Sequence, residues 1–179
     1  MHRKKLLDLL STYHREYPME NATTDQFIYF VSDHKDCFER SFKKGHITGS
    51  AWLVNKKGTH VLLTHHKKLN KWLQLGGHSD GNPDPQAVAF KELCEESGLR
   101  DVTPVWEQIF DLDIHLIPQR ENEEEHFHYD VRFAFRVLGS EEYEVSGESH
   151  DLSWVKISSM GSVTQEISML RMARKWLNS

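Results

Sequence analysis

The stretch "GGHSDGNPDPQAVAFKELCEESGL", residues 76–99, joins a pair of glycines to a short segment rich in glutamate. Asp84 is of the type that caps a helix by accepting from its free N–H groups, and Pro85 suits the first helical position because its missing N–H needs no partner there. Gly98 is typical of the residue that ends a helix in a left-handed conformation. The stretch therefore predicts a helix from about Pro85 to Ser97.

The predicted helix gathers its carboxylates on one side. At about 100° per residue, Glu92, Glu95 and Glu96 fall within one face about 100° wide, and apolar residues fill most of the remaining circumference. Such like charges repel one another by a few tenths of a kcal/mol per pair. A divalent cation bound between them would make the grouping of the carboxylates favourable. Carboxylate oxygens suit Mg²⁺ or Mn²⁺, and Gly76 and Gly77 lack the Cβ atoms that would keep backbone away from the same spot. The pattern indicates a metal that bridges to phosphate, with a solvated acidic helix face as the alternative.

The stretch resembles the Nudix box, G-x5-E-x7-R-E-U-x-E-E-x-G-U, in which U is aliphatic. The seven matching positions are Gly77, Glu92, Leu93, Glu95, Glu96, Gly98 and Leu99. The resemblance implies a Nudix-like α/β/α sandwich with a mixed β-sheet. It also implies a metal-dependent pyrophosphohydrolase that cleaves a diphosphate linkage in a nucleoside diphosphate derivative or a related organic pyrophosphate.

By matching position, the resemblance makes Glu92, Glu95 and Glu96 ligands of Mg²⁺ or Mn²⁺, with the Gly77 carbonyl beside them. Glu92 and Glu95 are candidates for the catalytic base. Glu148, in "SGESHDLSWV", is loosely matched to a further family glutamate from the loop before the last strand, and a base or metal role is expected for it.

Two positions depart from the box. Pro83 stands where the family has Glu, and Lys91 where it has Arg. Those two family side chains usually brace the loop against the helix, so this interaction is altered while the ligands remain. A pairing of Lys91 with Asp80 or with Asp84 is left open.

Several of the twelve histidines fall where they could meet. His126, His128 and Asp130 alternate along one predicted strand and therefore share a sheet face. The other candidates are His115 on the neighbouring strand, His78 after the glycine pair and His46 before the first core strand. Imidazoles gathered at one point suit Zn²⁺, Mn²⁺ or a similar ion, and they could instead contact substrate phosphate.

These histidines also resemble a special Nudix relative, type I isopentenyl-diphosphate isomerase. The matching positions are His46, Ser50, Trp52 and Leu53, then Gly77 with His78, and then His126 with His128. The resemblance implies a second metal at His46, His78, His126 and His128. Because Gly76 stands where the isomerase has its catalytic cysteine, a hydrolase is preferred. An isomerase-like enzyme and a catalytically silent, nucleotide-binding Nudix-like domain remain as alternatives.

The rest of the chain predicts a mixed sheet covered by helices. A first helix ends before Pro18, a second is expected from about Thr24 to Phe42, and a last one from Val163 to Leu177. The predicted strands are residues 47–54, 60–66, 102–118, 126–138 and 151–157. We expect an N-terminal helical extension over residues 1–44, packed on a Nudix-like hydrolase domain over residues 45–179.

The composition limits the partners. With 38% hydrophobic and 27% charged residues the chain should fold, and its net charge of −5 disfavours a nucleic acid polymer or an anionic membrane. Cys37 and Cys94 have no motif spacing, which favours a reducing compartment over a disulfide framework. We expect a cytoplasmic protein with a small-molecule diphosphate substrate, whose oligomeric state is open.

Overall fold

The computed structural model describes residues 2–67, 70–119, 124–145 and 149–179. The helices are α1 (Lys4–Glu16), α2 (Asn21–Asp33), α3 (Pro85–Ser97) and α4 (Ile167–Leu177). The strands are β1 (Gly45–Val54), β2 (His60–His66), β3 (Lys71–Leu73), β4 (Leu75–His78), β5 (Val102–Pro104), β6 (Asp111–Ile117), β7 (His126–Val137) and β8 (Ser149–Lys156). Within the described ranges, no helix has the length and apolar character needed to cross a bilayer.

The strands form one sheet in the order β3-β2-β1-β7-β5. Strand β4 pairs with β1, β6 with β7 and β8 with β2. The β1–β2 hairpin predicted from the "NKKG" turn is confirmed, since Val54 pairs antiparallel with Val61. The α/β class, with a sheet, covering helices and two N-terminal helices, is the one that the sequence predicted.

The second helix is shorter than the sequence predicted. A helix was expected over residues 24–42, but α2 ends at Asp33 and the next residue, His34, has extended angles of φ −116° and ψ 107°. The backbone beyond it serves β1, because the N–H of Ile47 donates to the carbonyl of Cys37 at 2.7 Å. A helix through Cys37 would need that carbonyl for itself, so a tertiary hydrogen bond overrides the local propensity.

The extended run predicted over residues 102–118 is two strands and not one. Both β5 and β6 pair with β7, and between them the N–H of Phe110 donates to the carbonyl of Arg132 at 2.8 Å. The last helix also begins later than predicted, at Ile167, because Glu166 before it has extended backbone angles of φ −64° and ψ 119°.

The chain forms two compact units, each assembled from separate stretches. The first unit is Met1–Ser50, Gly77–Val88 and Gln108–Phe133, and the second is Ala51–Gly76, Ala89–Glu107 and Ala134–Ser179. Strands β1 and β7 and helix α3 contribute residues to both. The division at residues 44 and 45 expected from the sequence stays a prediction.

In the first unit, α2 covers one face of β7. The ring of Phe30 stacks on Tyr129 with centroids 3.8 Å apart, and Phe27 meets the same ring edge-on at 5.3 Å. Tyr129 lies between His128 and Asp130, so these two polar side chains emerge on the other face.

That other face of β6 and β7 carries a buried ionic network around Arg132, which is 2% exposed. Its Nε donates to Asp130 at 2.7 Å, while Nη1 lies 3.2 Å from Asp111 and Nη2 lies 3.3 Å from Asp113. Burial by itself would lower the pKa of Arg132, but the charges of the three carboxylates outweigh it and the pKa is raised. One positive charge therefore faces three carboxylates, which leaves an excess of negative charge when all three are ionised.

Strand β1 is tied to the same network. Oδ1 of Asp130 accepts hydrogen bonds from the hydroxyls of Thr48 at 2.8 Å and Ser50 at 2.7 Å. Because Asp130 uses its other oxygen for Arg132, both of its carboxylate oxygens are satisfied.

In the second unit, α4 packs through Trp176. Its Nε1 donates to the carbonyl of Gly58 at 2.8 Å, and its ring stacks on Trp106 with centroids 6.0 Å apart. The guanidinium carbon of Arg136 lies 5.9 Å from the Trp176 ring centroid, within the range of a cation–π contact. Strand β2 pairs with β8 from His60 onward, and this ladder forms the centre of the unit.

Both cysteines are free thiols. Cys37 is buried in the first unit, and Cys94 is half-buried on α3. Burial raises the pKa of Cys37 to about 11, so its thiol stays protonated and unreactive at neutral pH.

Replacing Arg132 with Met should destabilise the protein by about 3–5 kcal/mol, because three carboxylates then lose their buried counter-charge. The free energy of unfolding from urea titration measures this. The matched control is Lys43→Met, which removes an exposed pair with Glu124 and should change stability by less than about 1 kcal/mol. Equal effects of the two substitutions would contradict the structural role of the Arg132 network.

Candidate active site

Helix α3, which carries the glutamates, has the bounds that the sequence predicted. Oδ1 of Asp84 accepts from the N–H of Ala87 at 3.4 Å, and the carbonyl of Asp84 accepts from Val88 at 3.1 Å. After the last turn, Gly98 has a φ of 74° and its N–H donates to the carbonyl of Cys94 at 3.0 Å. A side chain at Gly98 would be strained in this left-handed conformation, so glycine fixes the end of the helix.

Glu96 contacts Gly76, the first residue of the glycine pair, directly. Its Oε1 accepts a hydrogen bond from the N–H of Gly76 at 2.8 Å, and both residues are half-buried. A charged acceptor makes this bond stronger than a neutral one. The last turn of α3 is therefore attached to the glycine segment through one carboxylate oxygen.

Lys91 bridges the other two glutamates. Its Nζ lies 3.0 Å from Oε1 of Glu92 and 3.1 Å from Oε2 of Glu95. Hydrogen bonds to Glu92 and Glu95 raise the pKa of Lys91. The Glu92 side chain is only 19% exposed, whereas those of Glu95 and Lys91 are 59% and 60% exposed, so the pairs are screened by solvent and contribute little stability.

Both partners considered for Lys91 from the sequence were wrong. Arg40 binds Asp80 through two hydrogen bonds of 2.6 and 2.7 Å, and Lys5 binds Asp84 at 2.6 Å. A helix rises about 1.5 Å per residue, so Lys91 lies about 10 Å along the axis from Asp84. Its nearer carboxylates are those of the following turn.

The sequence also predicted Gly77 and Glu148 at this site. Gly77 lies in β4 and is half-buried. Glu148 lies outside the residues that the structure describes, so its predicted base or metal role stays a prediction.

The histidines singled out in the sequence come together in the first unit. Ring centroids of His46 lie 5.0 Å from His78, 4.9 Å from His126 and 4.7 Å from His128. His115, paired with His128 in the β6–β7 register, has its centroid 5.4 Å away. One ring nitrogen each of His46, His78 and His128 can be chosen so that all three lie within 4.8 Å of one another, the spacing of a possible metal site.

His46 is the least exposed of these rings, at 1%. Neither of its nitrogens has a hydrogen-bond partner among the described residues. Burial, and then the neighbouring His78 and His126, lowers the pKa of His46 to about 4. Burial, followed by His46 and His78, lowers the pKa of His128 to about 2. Both rings are therefore neutral at pH 7 and offer lone pairs rather than positive charge.

Sequence reasoning missed the ionic network beside this cluster. Nδ1 of His115 lies 3.2 Å from Oδ2 of Asp113, the oxygen that also faces Arg132. The signal was present in the alternation of Asp111, Asp113 and His115 along one strand. The network could be recognised only from the strand register, which places Asp113 opposite Asp130.

The NUDIX domain model matches residues 44–175, which is most of the chain. The chain therefore belongs to the NUDIX domain family, and it is a Nudix hydrolase. Nudix hydrolases generally use divalent metals and act on small-molecule phosphate substrates. None of the curated proteins matches the chain.

Solved structures share the fold. A NUDIX family hydrolase from Clostridium perfringens is 26% identical with a TM-score of 0.53, covering 74% of this chain and 97% of its own. A MutT protein from Methanosarcina mazei is 19% identical with a TM-score of 0.55, covering 76% and 96%. An Ap4A hydrolase from C. elegans is 15% identical with a TM-score of 0.51, covering 73% and 96%.

Replacing Lys91 with Met should raise the affinity of the acidic helix face for Mg²⁺ about three- to fivefold. The ammonium competes with the cation for Glu92 and Glu95, and two exposed pairs are each worth roughly 0.3–0.5 kcal/mol. Calorimetric titration with Mg²⁺ measures the change. Lys57→Met, at an exposed lysine of the β1–β2 turn, is the control and should leave the affinity unchanged. Weaker Mg²⁺ binding in the Lys91 variant would mean that the ammonium supports the ligands rather than competing with the metal.

Proposed function

We propose that the protein hydrolyses a diphosphate linkage in a nucleoside diphosphate derivative or a related organic pyrophosphate, with Mg²⁺ or Mn²⁺ held by Glu92, Glu95 and Glu96. The observation that carries the proposal is the 2.8 Å bond from the Gly76 N–H to Glu96. It brings the box helix and the glycine segment to one point, as a pocket for metal and pyrophosphate requires.

The donor set fits the proposed metal. Three carboxylates supply hard oxygen ligands, which Mg²⁺ and Mn²⁺ prefer. The position of Lys91 is independent support, because an ammonium group held between Glu92 and Glu95 marks this face as one that attracts cations. When bound, a divalent cation there would neutralise phosphoryl oxygens and lower the pKa of a water molecule.

The other roles in the proposed reaction belong to residues of the chain. The Gly76 N–H holds Glu96 in one orientation, which removes the entropy cost of ordering that ligand during turnover. Glu92 or Glu95 would accept the proton of the attacking water as general base.

The nature of the substrate rests on chemistry common to the family. The C. elegans neighbour is an Ap4A hydrolase, and a further neighbour is the E. coli dihydroneopterin triphosphate pyrophosphohydrolase, 10% identical with a TM-score of 0.54. Both act on molecules with linked phosphates. We therefore place the substrate of this chain among nucleoside or nucleoside-like compounds that carry a phosphoanhydride bond.

A panel of nucleoside diphosphate derivatives with Mg²⁺ or Mn²⁺, scored for mono- and diphosphate products, tests the proposal. In the same assay, Glu96→Gln should lower kcat by about 10²–10³-fold, because the charge that stabilises the transition state is lost. Gln keeps an oxygen that can accept from Gly76, so the fold is preserved. The control is Glu107→Gln, at an exposed glutamate of the second unit, which should keep full activity.

Three outcomes would overturn the proposal. Parental turnover by Glu96→Gln, with unchanged metal dependence, excludes the glutamates as the metal site. Conversion of isopentenyl diphosphate to its allylic isomer, with no hydrolysis across the panel, identifies an isomerase. Ligand binding with no phosphate product under either ion identifies a silent nucleotide-binding domain.

A further inference from the structure

We infer that His46, His78 and His128 bind one late transition-metal dication, such as Zn²⁺. This site lies wholly in the first unit and is separate in donor chemistry from the glutamate site of the proposed function. The inference rests on the geometry of the rings, on an unsatisfied buried imidazole and on the charge of their surroundings.

The spacing of the nitrogens is that of ligands around a single ion. Two imidazole nitrogens on a tetrahedral Zn²⁺ at about 2.0–2.1 Å are about 3.3 Å apart. The donor atoms of His46, His78 and His128 are already within 4.8 Å of one another.

The lone pairs of these rings are set by the hydrogen bonds around them. Nδ1 of His126 lies 2.8 Å from the carbonyl oxygen of Glu124, which can only accept, so Nδ1 carries the hydrogen. In the neutral ring Nε2 then accepts a hydrogen bond from Nε2 of His128 at 3.2 Å, which leaves the lone pair of His128 on Nδ1. A partner that fixes the tautomer of a ligating histidine in this way is typical of metal sites.

His46 supplies the strongest reason for a ligand. It is 1% exposed, and neither ring nitrogen has a hydrogen-bond partner among the described residues. Buried polar groups without partners are rare because they lose hydration and gain nothing in return. Its place is imposed by the backbone, because Gly45 precedes it with a φ of 139° and packs against the carbonyl of Phe127 too closely for a Cβ atom.

The surrounding charge selects a cation over an anion. Asp111, Asp113 and Asp130 face one guanidinium, that of Arg132, and Asp113 reaches the cluster through its contact with His115. This excess of negative charge attracts a dication and repels phosphate.

The nitrogen donors also select the metal. Neutral imidazoles suit Zn²⁺, Co²⁺, Ni²⁺ and Cu²⁺, whereas Mg²⁺ prefers oxygen ligands and sheds its waters reluctantly. Physiological Mg²⁺ would therefore not compete for the histidines, and the ion bound there differs from the one proposed at Glu92, Glu95 and Glu96.

Cobalt titration of the chelator-treated full-length protein tests the inference without any activity assay. One equivalent of Co²⁺ should bind with the visible bands of a four-coordinate site, and Zn²⁺ should displace it. His78→Gln and His128→Gln should lose affinity by more than the roughly 10–100-fold that an outer-shell change costs, and Asp113→Asn should lose about tenfold. His60→Gln, at a half-buried histidine of the second unit, is the matched control and should bind Co²⁺ normally. Circular dichroism of each variant checks that it is folded.

The result can be separated from the proposed hydrolysis. Glu96→Gln should keep full Co²⁺ affinity while it loses turnover, and that combination supports both statements. Unchanged Co²⁺ affinity in folded His78→Gln and His128→Gln would overturn the histidine site whether or not the enzyme is active. Binding of inorganic phosphate to the cluster, seen by phosphorus NMR together with no uptake of Co²⁺, would overturn it in favour of an anion site.

Discussion

The register between β6 and β7 is the constraint on which the chemistry of the first unit depends. It places Asp111 opposite Arg132, Asp113 opposite Asp130 and His115 opposite His128. One sheet face therefore receives every charged group of the network and three of the imidazoles, since His126 alternates with His128. Side chains alternate along a strand, and a slip by one residue would move this whole set to the face that α2 covers. Arg132 opposes such a slip, because only this register gives its guanidinium three carboxylates.

Local sequence was enough to predict the elements whose ends carry their own signals. Helix α3 has Asp84 at its start and Gly98 after its end, and both act as expected. Helix α2 has no such signal at its end, where a bond from Ile47 to Cys37 takes over. Long-range backbone pairing of this kind cannot be read from the pattern of one segment, because its partner lies in another.

The candidate sites were likewise predictable from the sequence only in part. Alternation along β7 was sufficient to place His126 and His128 on one face, and the structure brings His46 to them. The partners of Lys91 and of Arg132 could not be predicted from the sequence, because each depends on which of several carboxylates lies within reach of a long side chain. A flexible side chain samples many directions, and burial and register, rather than sequence spacing, decide among them.

The distribution of charge is consistent with the two cation sites that we propose. The chain has a net charge of −5, and a pyrophosphate would meet a repulsive field unless positive charge were supplied locally. The basic side chains next to the acidic groups already form ion pairs. Lys91 pairs with Glu92 and Glu95, and Arg132 pairs with three aspartates. Protonated imidazoles do not fill the gap, since burial keeps His46 and His128 neutral. Under both proposals, positive charge for a phosphate comes from bound ions, with carboxylate oxygens as ligands of a hard dication and imidazole nitrogens as ligands of a softer one.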